Sequence, residues 1–422
     1  MSAAGRPGGA NSAPAGGGAA AQTQGWGRSF VGPRIAQITV RAVRVTRKTV
    51  WLFVEVLDSE CATGIGEATP PGEASVVIAA VEALVPRLLD CSADPSLRLQ
   101  WPHVPRTRAG AAAASAIDHA LWDLAGQRAG APVATLLGAT ERQVALYANI
   151  NRGLTDRSPA AFATGARAAV DAGFTAVKIA PFDDVDVSGR WGTVLPATRA
   201  GLDAGLARIA ATRAAVGSEV RLMVDCHWRF DEKCAESVID AVTALHPHWI
   251  ECPLPEEAEW LPALKRLRAR ANARAMRLAG GEDGVGREAF LPFLTHGAYD
   301  VLMPDMKYVG GFAEMQAVAA LASKHGVAIS PHNPTGPVAH AASLHACTVL
   351  PGFDRLELQF NETPLFERLV QPALPAPLHG IASIPERAGL GVHLVAEVVA
   401  KHQIATRNWH TGSPAPGRGG TA

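Results

Sequence analysis

Arg221-Leu222-Met223-Val224-Asp225-Cys226-His227 is a short apolar run, suited to a buried strand, that ends on a carboxylate. Its form recurs in His248-Trp249-Ile250-Glu251-Cys252-Pro253 and in Arg277-Leu278-Ala279-Gly280-Gly281-Glu282-Asp283. Asp225 and Glu251 are 26 residues apart, and Glu251 and Glu282 are 31 apart, about one strand-plus-helix unit each time. Three such units in register predict a parallel (β/α) barrel that brings its acids to one mouth.

An acid at the end of a buried strand is costly unless something binds there. Three that converge call for a cation, and the all-oxygen set of Asp225, Glu251 and Glu282 favours a hard ion such as Mg2+ over zinc. The competing reading is that each acid caps the helix after its strand.

Outward from this core, the stretches 144–150, 176–180, 301–305, 327–332 and 355–360 bring the candidate strands to eight. Upstream, 35–45 and 50–56 alternate apolar and polar residues as an antiparallel hairpin or meander would. The Gly- and Pro-rich stretch 63–72 reads as a mobile loop, and helices are expected over 74–90 and 111–137. Strands precede helices up to residue 143 and alternate with them from Val144, which sets a domain boundary. The expected organisation is a disordered tail (1–33), an α+β domain (34–143), the barrel (144–360), a segment returning to the first domain (361–407) and a second disordered tail (408–422).

Basic and acidic residues balance at 39 each, so no net field recruits nucleic acid or an anionic membrane. No secretory signal and no run of about 20 apolar residues is present, and a cytoplasmic protein is expected. The six cysteines include no CxxC pair, which argues against a zinc site or a disulfide framework. Cys226 and Cys252 each follow a proposed ligand and read as packing.

Other residues complete the mouth. Lys178, inside a barrel strand, would hold an anionic group such as a substrate carboxylate, unless it lies on the solvated outer face. Asp305 and His332 end consecutive strands, so Asp305 can fix the tautomer of His332 and free its other nitrogen as a base; a loop-stapling histidine is the alternative. His227, two residues past Asp225 on an extended strand, would face the mouth as an acid or as a neutral hydrogen-bonding group. Glu357 and Glu362 both qualify to hydrogen-bond a developing oxyanion, Glu357 being favoured because it lies within the strand pattern. Lys307 either faces the mouth or is an exposed loop lysine. Such parts suit removal of a proton next to a carboxylate, where a metal favours the enediolate over the ground state.

With the motifs Ile117-Asp118-His119-Ala120-Leu121-Trp122-Asp123-Leu124-Ala125-Gly126 and Ser330-Pro331-His332-Asn333-Pro334-Thr335-Gly336-Pro337, these residues make the chain resemble the enolase superfamily, mandelate racemase subgroup, over roughly 34 to 405. The resemblance implies a modified (β/α)7β TIM-type barrel, an α+β capping domain formed by both chain termini, and one Mg2+ per subunit. It also implies a homo-oligomer and a specificity loop around 63–73. One departure is informative: the racemases carry Lys-x-Lys on the second strand, whereas this chain reads Lys178-Ile179-Ala180. A single base, His332, with His227 as acid resembles the acid-sugar (galactonate-type) dehydratases. The expected function is Mg-dependent dehydration of a sugar acid, a small-molecule carboxylate. Proton abstraction gives a metal-stabilised enediolate, and loss of the 3-hydroxyl gives a 2-keto-3-deoxy acid. A racemase, epimerase or cycloisomerase with Lys307 as second base is the alternative, ahead of a non-catalytic binding protein. The segment 183–191 is a further candidate contributor to substrate choice.

Overall fold

In the computed structural model, residues 32–69, 74–100, 105–184 and 199–412 are described. The chain opens with strands β1 (Ile35–Arg44), β2 (Val50–Asp58) and β3 (Thr63–Glu67), followed by helices α1 (Ala74–Leu84) and α2 (Arg108–Ala129). Strands and helices then alternate: β4 (Gln143–Asn149), α3 (Pro159–Asp171), β5 (Ala176–Ile179), α4 (Arg199–Val216), β6 (Arg221–Asp225), α5 (Glu232–Ala241), β7 (Trp249–Glu251), α6 (Leu261–Asn272) and β8 (Arg277–Gly280). The series continues through α7 (Leu291–His296), β9 (Val301–Leu302), α8 (Phe312–Lys324), β10 (Ala328–Ile329), α9 (Pro337–Cys347) and β11 (Leu356–Gln359), and β12 (Gln403–His410) is the last strand among the described residues.

Strands β4 to β11 form one parallel curled sheet in the order β10-β9-β8-β7-β6-β5-β4-β11. Its ends meet: Ile329 N–H donates to the Gly352 carbonyl at 2.9 Å, and Asp354 N–H donates to the Ile329 carbonyl at 2.8 Å. Tyr147, Ala176, Met223, Trp249, Ala279, Val301 and Met303 pack as one apolar cluster contributed by successive strands of this sheet. Two residues further along the same rows come Asn149, Lys178, Asp225, Glu251 and Asp305. The period of two therefore lifts the chain from an apolar layer to a polar one at the mouth. Asp225 and Glu251 are direct partners across β6 and β7.

The first sheet, β12-β1-β2-β3, is antiparallel and takes strands from both ends of the chain. Three expectations are corrected here. Residues 63–67 form β3 rather than a loop, and their glycines serve close packing on α2. A Cβ on Gly64 would stand 2.1 Å from the Ala120 carbonyl oxygen, and one on Gly66 would stand 1.8 Å from that of Ala116. Residues 408–410 do not fray but extend β12, where Trp409 pairs with Ile38 and is buried. Helix α2 also stops short of the expected 137, because Gly130 at φ 62° caps it. The expected tail 1–33, apart from its last two residues, together with 70–73 and 413–422, lies outside the described residues. Among the described residues no helix is long and apolar enough to cross a membrane.

Glu67 joins the two sheets. Its buried carboxylate accepts hydrogen bonds from Thr69 Oγ1 (2.5 Å), Thr335 Oγ1 (2.9 Å) and the N–H groups of Gly336 (2.7 Å), Val338 (3.1 Å) and Ala339 (2.9 Å). The N-cap of α9, Gly336, offers no side chain, so a residue from β3 satisfies the start of this helix. Glu67→Ala is expected to destabilise the protein by about 3 kcal/mol or more, since hydrogen bonds to a buried charge are each worth roughly 1.5–3 kcal/mol. A melting temperature within a degree of the parent would contradict this.

Candidate active site

Asp225, Glu251 and Glu282 each place a carboxylate oxygen so that the three lie within 4.8 Å of one another, and all three residues are buried. They are not helix caps. Asp231 caps α5, accepting from Cys234 N–H at 2.8 Å, and α6 has no side-chain cap. β8 ends at Gly280, and Gly281 at φ 86° breaks the strand alternation before Glu282.

Lys178 lies inside this cluster, fully buried. Its Nζ stands 2.5 Å from Glu251 Oε1, 3.2 Å from Glu357 Oε1 and 3.7 Å from Asp225 Oδ2. Burial pulls the ammonium down, but Glu251 and Glu357 hold it well above its ordinary range. One ammonium does not balance the acids around it. Burial and the neighbouring Asp225 and Glu282, against Lys178, push Glu251 up to about 8. Burial likewise raises Glu282, whose Oε2 is buried without a hydrogen-bond partner. Oxygen-only donors, a buried carboxylate oxygen with no hydrogen bond and surplus negative charge fit a hard divalent cation.

On one side of the cluster, His332 Nδ1 stands 2.8 Å from Asp305 Oδ2, and its Nε2 is 3.5 Å from Glu282 Oε2. Burial lowers this imidazole, but Glu282 and Asp305 together raise it to about 8. Lys307 is neither an exposed loop residue nor a free base. It is buried, with Nζ 2.8 Å from Asp305 Oδ2 and its N–H donating to Oδ1 at 2.7 Å. Against burial, that contact keeps Asp305 below the usual carboxylate range.

On the other side, His227 Nε2 stands 2.9 Å from Asp225 Oδ2. The route to this position is not an extended strand. β6 ends at Asp225, and His227 takes φ 45°, in the left-handed region. Its N–H donates to Asp225 Oδ1 at 3.0 Å, and Nδ1 lies 2.5 Å from Asp183 Oδ1. Burial opposes charging of the ring, but Asp225 and Asp183 outweigh it and raise His227 well above its ordinary range.

Glu357 and Glu362 part company. Glu357 is buried beside Lys178, accepts from Asn149 Nδ2 at 2.5 Å and Asn333 N–H at 3.0 Å, and is held below its ordinary value by Lys178 against burial. As an anion it accepts hydrogen bonds and has none to donate to an oxyanion. Glu362 faces away, accepting from Thr49 Oγ1 at 2.6 Å and pairing with Arg152 at 3.4 Å. Asn149 was given no role in the sequence reading, and Asp183 entered it only as part of the segment 183–191. Asn149 had a signal, being the inward position two past Tyr147; Asp183 had none beyond following β5. Residues 185–191 of the segment 183–191 lie outside the described residues. Cys226 and Cys252 are buried free thiols, raised by burial.

Comparison with known proteins matches residues 31–138 to the family model of the mandelate racemase / muconate lactonizing enzyme N-terminal domain. Residues 161–398 match the enolase C-terminal domain-like model. The chain is 36% identical over 304 residues to a D-galactonate dehydratase of Verminephrobacter eiseniae (strain EF01-2), covering 70% of this chain and 74% of that one. It is 30% identical over 362 residues to a D-gluconate dehydratase of Thermoproteus tenax, covering 83% and 69% respectively. Among solved structures, a mandelate racemase/muconate lactonizing enzyme from Jannaschia sp. CCS1 superposes with a TM-score of 0.78 at 26% identity, over 88% of this chain and 98% of that one.

Proposed function

The chain belongs to the enolase superfamily, in its mandelate racemase and muconate lactonizing enzyme group, and on that premise we propose that it is a Mg2+-dependent dehydratase of a sugar acid. The observation that carries this reading is the pair of imidazoles, His332 and His227, each in contact with a different acid of the triad. The names of the two dehydratase relatives point the same way. Where the racemases carry a second lysine on the second strand this chain has Ala180, and Lys307 is already committed to Asp305.

Asp225, Glu251 and Glu282 would hold the cation, which supplies positive charge against the negative charge that develops on the substrate carboxylate. Lys178, oriented by Glu251 and Glu357, adds a fixed positive charge beside it. His332 takes the proton from C2 through Nε2, while Asp305 keeps Nδ1 protonated. His227 gives a proton to the departing 3-hydroxyl, which leaves as water, and the enol tautomerises to a 2-keto-3-deoxy acid.

The test is to screen aldonic and aldaric acids in heavy water. A dehydratase accumulates a 2-keto acid that semicarbazide traps, whereas deuterium washed into recovered substrate or an isomer, without keto acid, would overturn the reading. Chelation with EDTA should abolish turnover and Mg2+ should restore it. Mg2+ at 100 times its Kd should stabilise the chelated protein by about 2.7 kcal/mol. An unchanged melting temperature would count against the metal site.

A further inference from the structure

We infer that Asp183 is a positioning residue for His227, so that the mouth carries two carboxylate–imidazole dyads; the inference rests on the dehydratase reading. The two share one plan. In the first, Asp305 holds His332 Nδ1 at 2.8 Å and Nε2 points at Glu282, 3.5 Å away. In the second, Asp183 holds His227 Nδ1 at 2.5 Å and Nε2 points at Asp225, 2.9 Å away.

The turn that carries Asp183 is fastened on several sides. Arg208 of α4, buried, donates to the Pro181 carbonyl (2.7 Å), to both oxygens of Asp184 (2.5 and 2.6 Å) and to the Arg157 carbonyl (2.6 Å). Phe182 meets Phe230 edge-on with ring centroids 4.9 Å apart, which locks the turn after β5 onto the turn after β6. Gly205 leaves the space for that ring, since a Cβ there would stand 2.1 Å from Phe182 Cε1. Arg229 adds a cation beside the pair, with Nε 3.7 Å from Asp183 Oδ1.

This fastening matters because His227 sits in a left-handed backbone conformation at a strand end, where side-chain direction is not set by the sheet. Asp183 accepts a hydrogen bond from Nδ1–H and so keeps that nitrogen protonated and fixes the ring plane, leaving Nε2 to face the substrate. In the step it serves, His332 removes the C2 proton, the C2–H electron pair forms the C2=C3 bond, and the C3–O bond breaks. The Nε2 proton leaves with that oxygen as water.

The experiment uses the full chain with Mg2+ and the sugar acid found by screening, and the variants Asp183→Asn and Asp183→Ala. Both should lower kcat for elimination roughly 10- to 100-fold, the usual loss when the partner that orients a functional imidazole is removed. Asn, which still accepts a hydrogen bond from Nδ1, should lose less. Exchange of the C2 proton with deuterium should continue at the parent rate. A 3-fluoro analogue, whose fluoride departs without a proton, should be processed by both variants at the parent rate. Equal loss of exchange and elimination, or equal slowing of the fluoro analogue, would overturn the assignment. A second readout needs no substrate: 15N spectra of the histidine rings should show His227 Nδ1 protonated and hydrogen-bonded in the parent, assigned against His227→Gln, and Asp183→Ala should disturb that signal. An undisturbed signal would overturn the dyad even if no dehydration were found, whereas a disturbed signal without keto acid would fault only the dehydratase reading.

Discussion

His332→Asn is expected to lower kcat by roughly 10³- to 10⁴-fold, because a positioned general base contributes up to about that much. Elimination and C2 exchange should fall together, unlike in the variants at Asp183. Asn keeps a polar group where Nδ1 meets Asp305, so the contact that anchors the side chain can survive, but it has no basic nitrogen for the substrate. The magnesium-induced rise in melting temperature should be retained, which separates lost chemistry from a lost site. The acid limb of the pH profile carries the same assignment. A base must be neutral, so kcat/KM rises as pH increases through the pKa of His332. Without a cation, burial lowers that value, but Glu282 and Asp305 raise it to about 8. A cation on Glu282 offsets the charge through which that residue raises His332, so the loaded enzyme should show its acid limb below 8. Parent-like turnover by His332→Asn would rule the base assignment out.

The acids were legible because side-chain period holds as long as a strand lasts. Asp225, Glu251 and Asp305 lie two residues past apolar inward positions, and the same rule puts Lys178 inside rather than on the outer face. Legibility ends with the strand. His227, Cys252 and Gly281 all take positive φ just beyond β6, β7 and β8, so position counting cannot place the side chains past those points. His227 reached the mouth although the extended geometry invoked for it is absent. Other misses concern partners remote in sequence. Glu67 finds Gly336 from 269 residues away, and the glycines of β3 look like loop composition until α2 is laid across them. β12 had too weak an alternation to be read, and pairing with β1 forms it.

Glu282→Gln should move stability and turnover in opposite directions. Turnover is expected to fall at least about 10³-fold, since the change removes a cation ligand and charge complementarity dominates such sites. The metal-free protein should become more stable by roughly 1–2 kcal/mol, because a buried carboxylate that burial and Asp225 push up, and whose Oε2 has no hydrogen bond, is replaced by a neutral amide. The pH dependence shows why. Glu251 titrates near 8 in the folded protein against an ordinary 4.5, so between those values the folded state binds more protons than the unfolded chain. Stability is therefore fully present below about 4.5 and is lost as pH rises towards 8. Asp225 is shifted the other way, and its contribution is lost only in acid, below its ordinary 3.8. The chelated parent should accordingly melt at falling temperature between pH 5 and 8, and Mg2+ should make the fall shallower, the remainder coming from Asp123 and Glu256, which burial raises to about 7. Glu282 is one of the charges that raise Glu251, so Glu282→Gln should flatten the same curve without metal and respond little to Mg2+. A variant that melts lower than the chelated parent at pH 8, or that keeps the full magnesium response, would mean that the three acids do not share one cation.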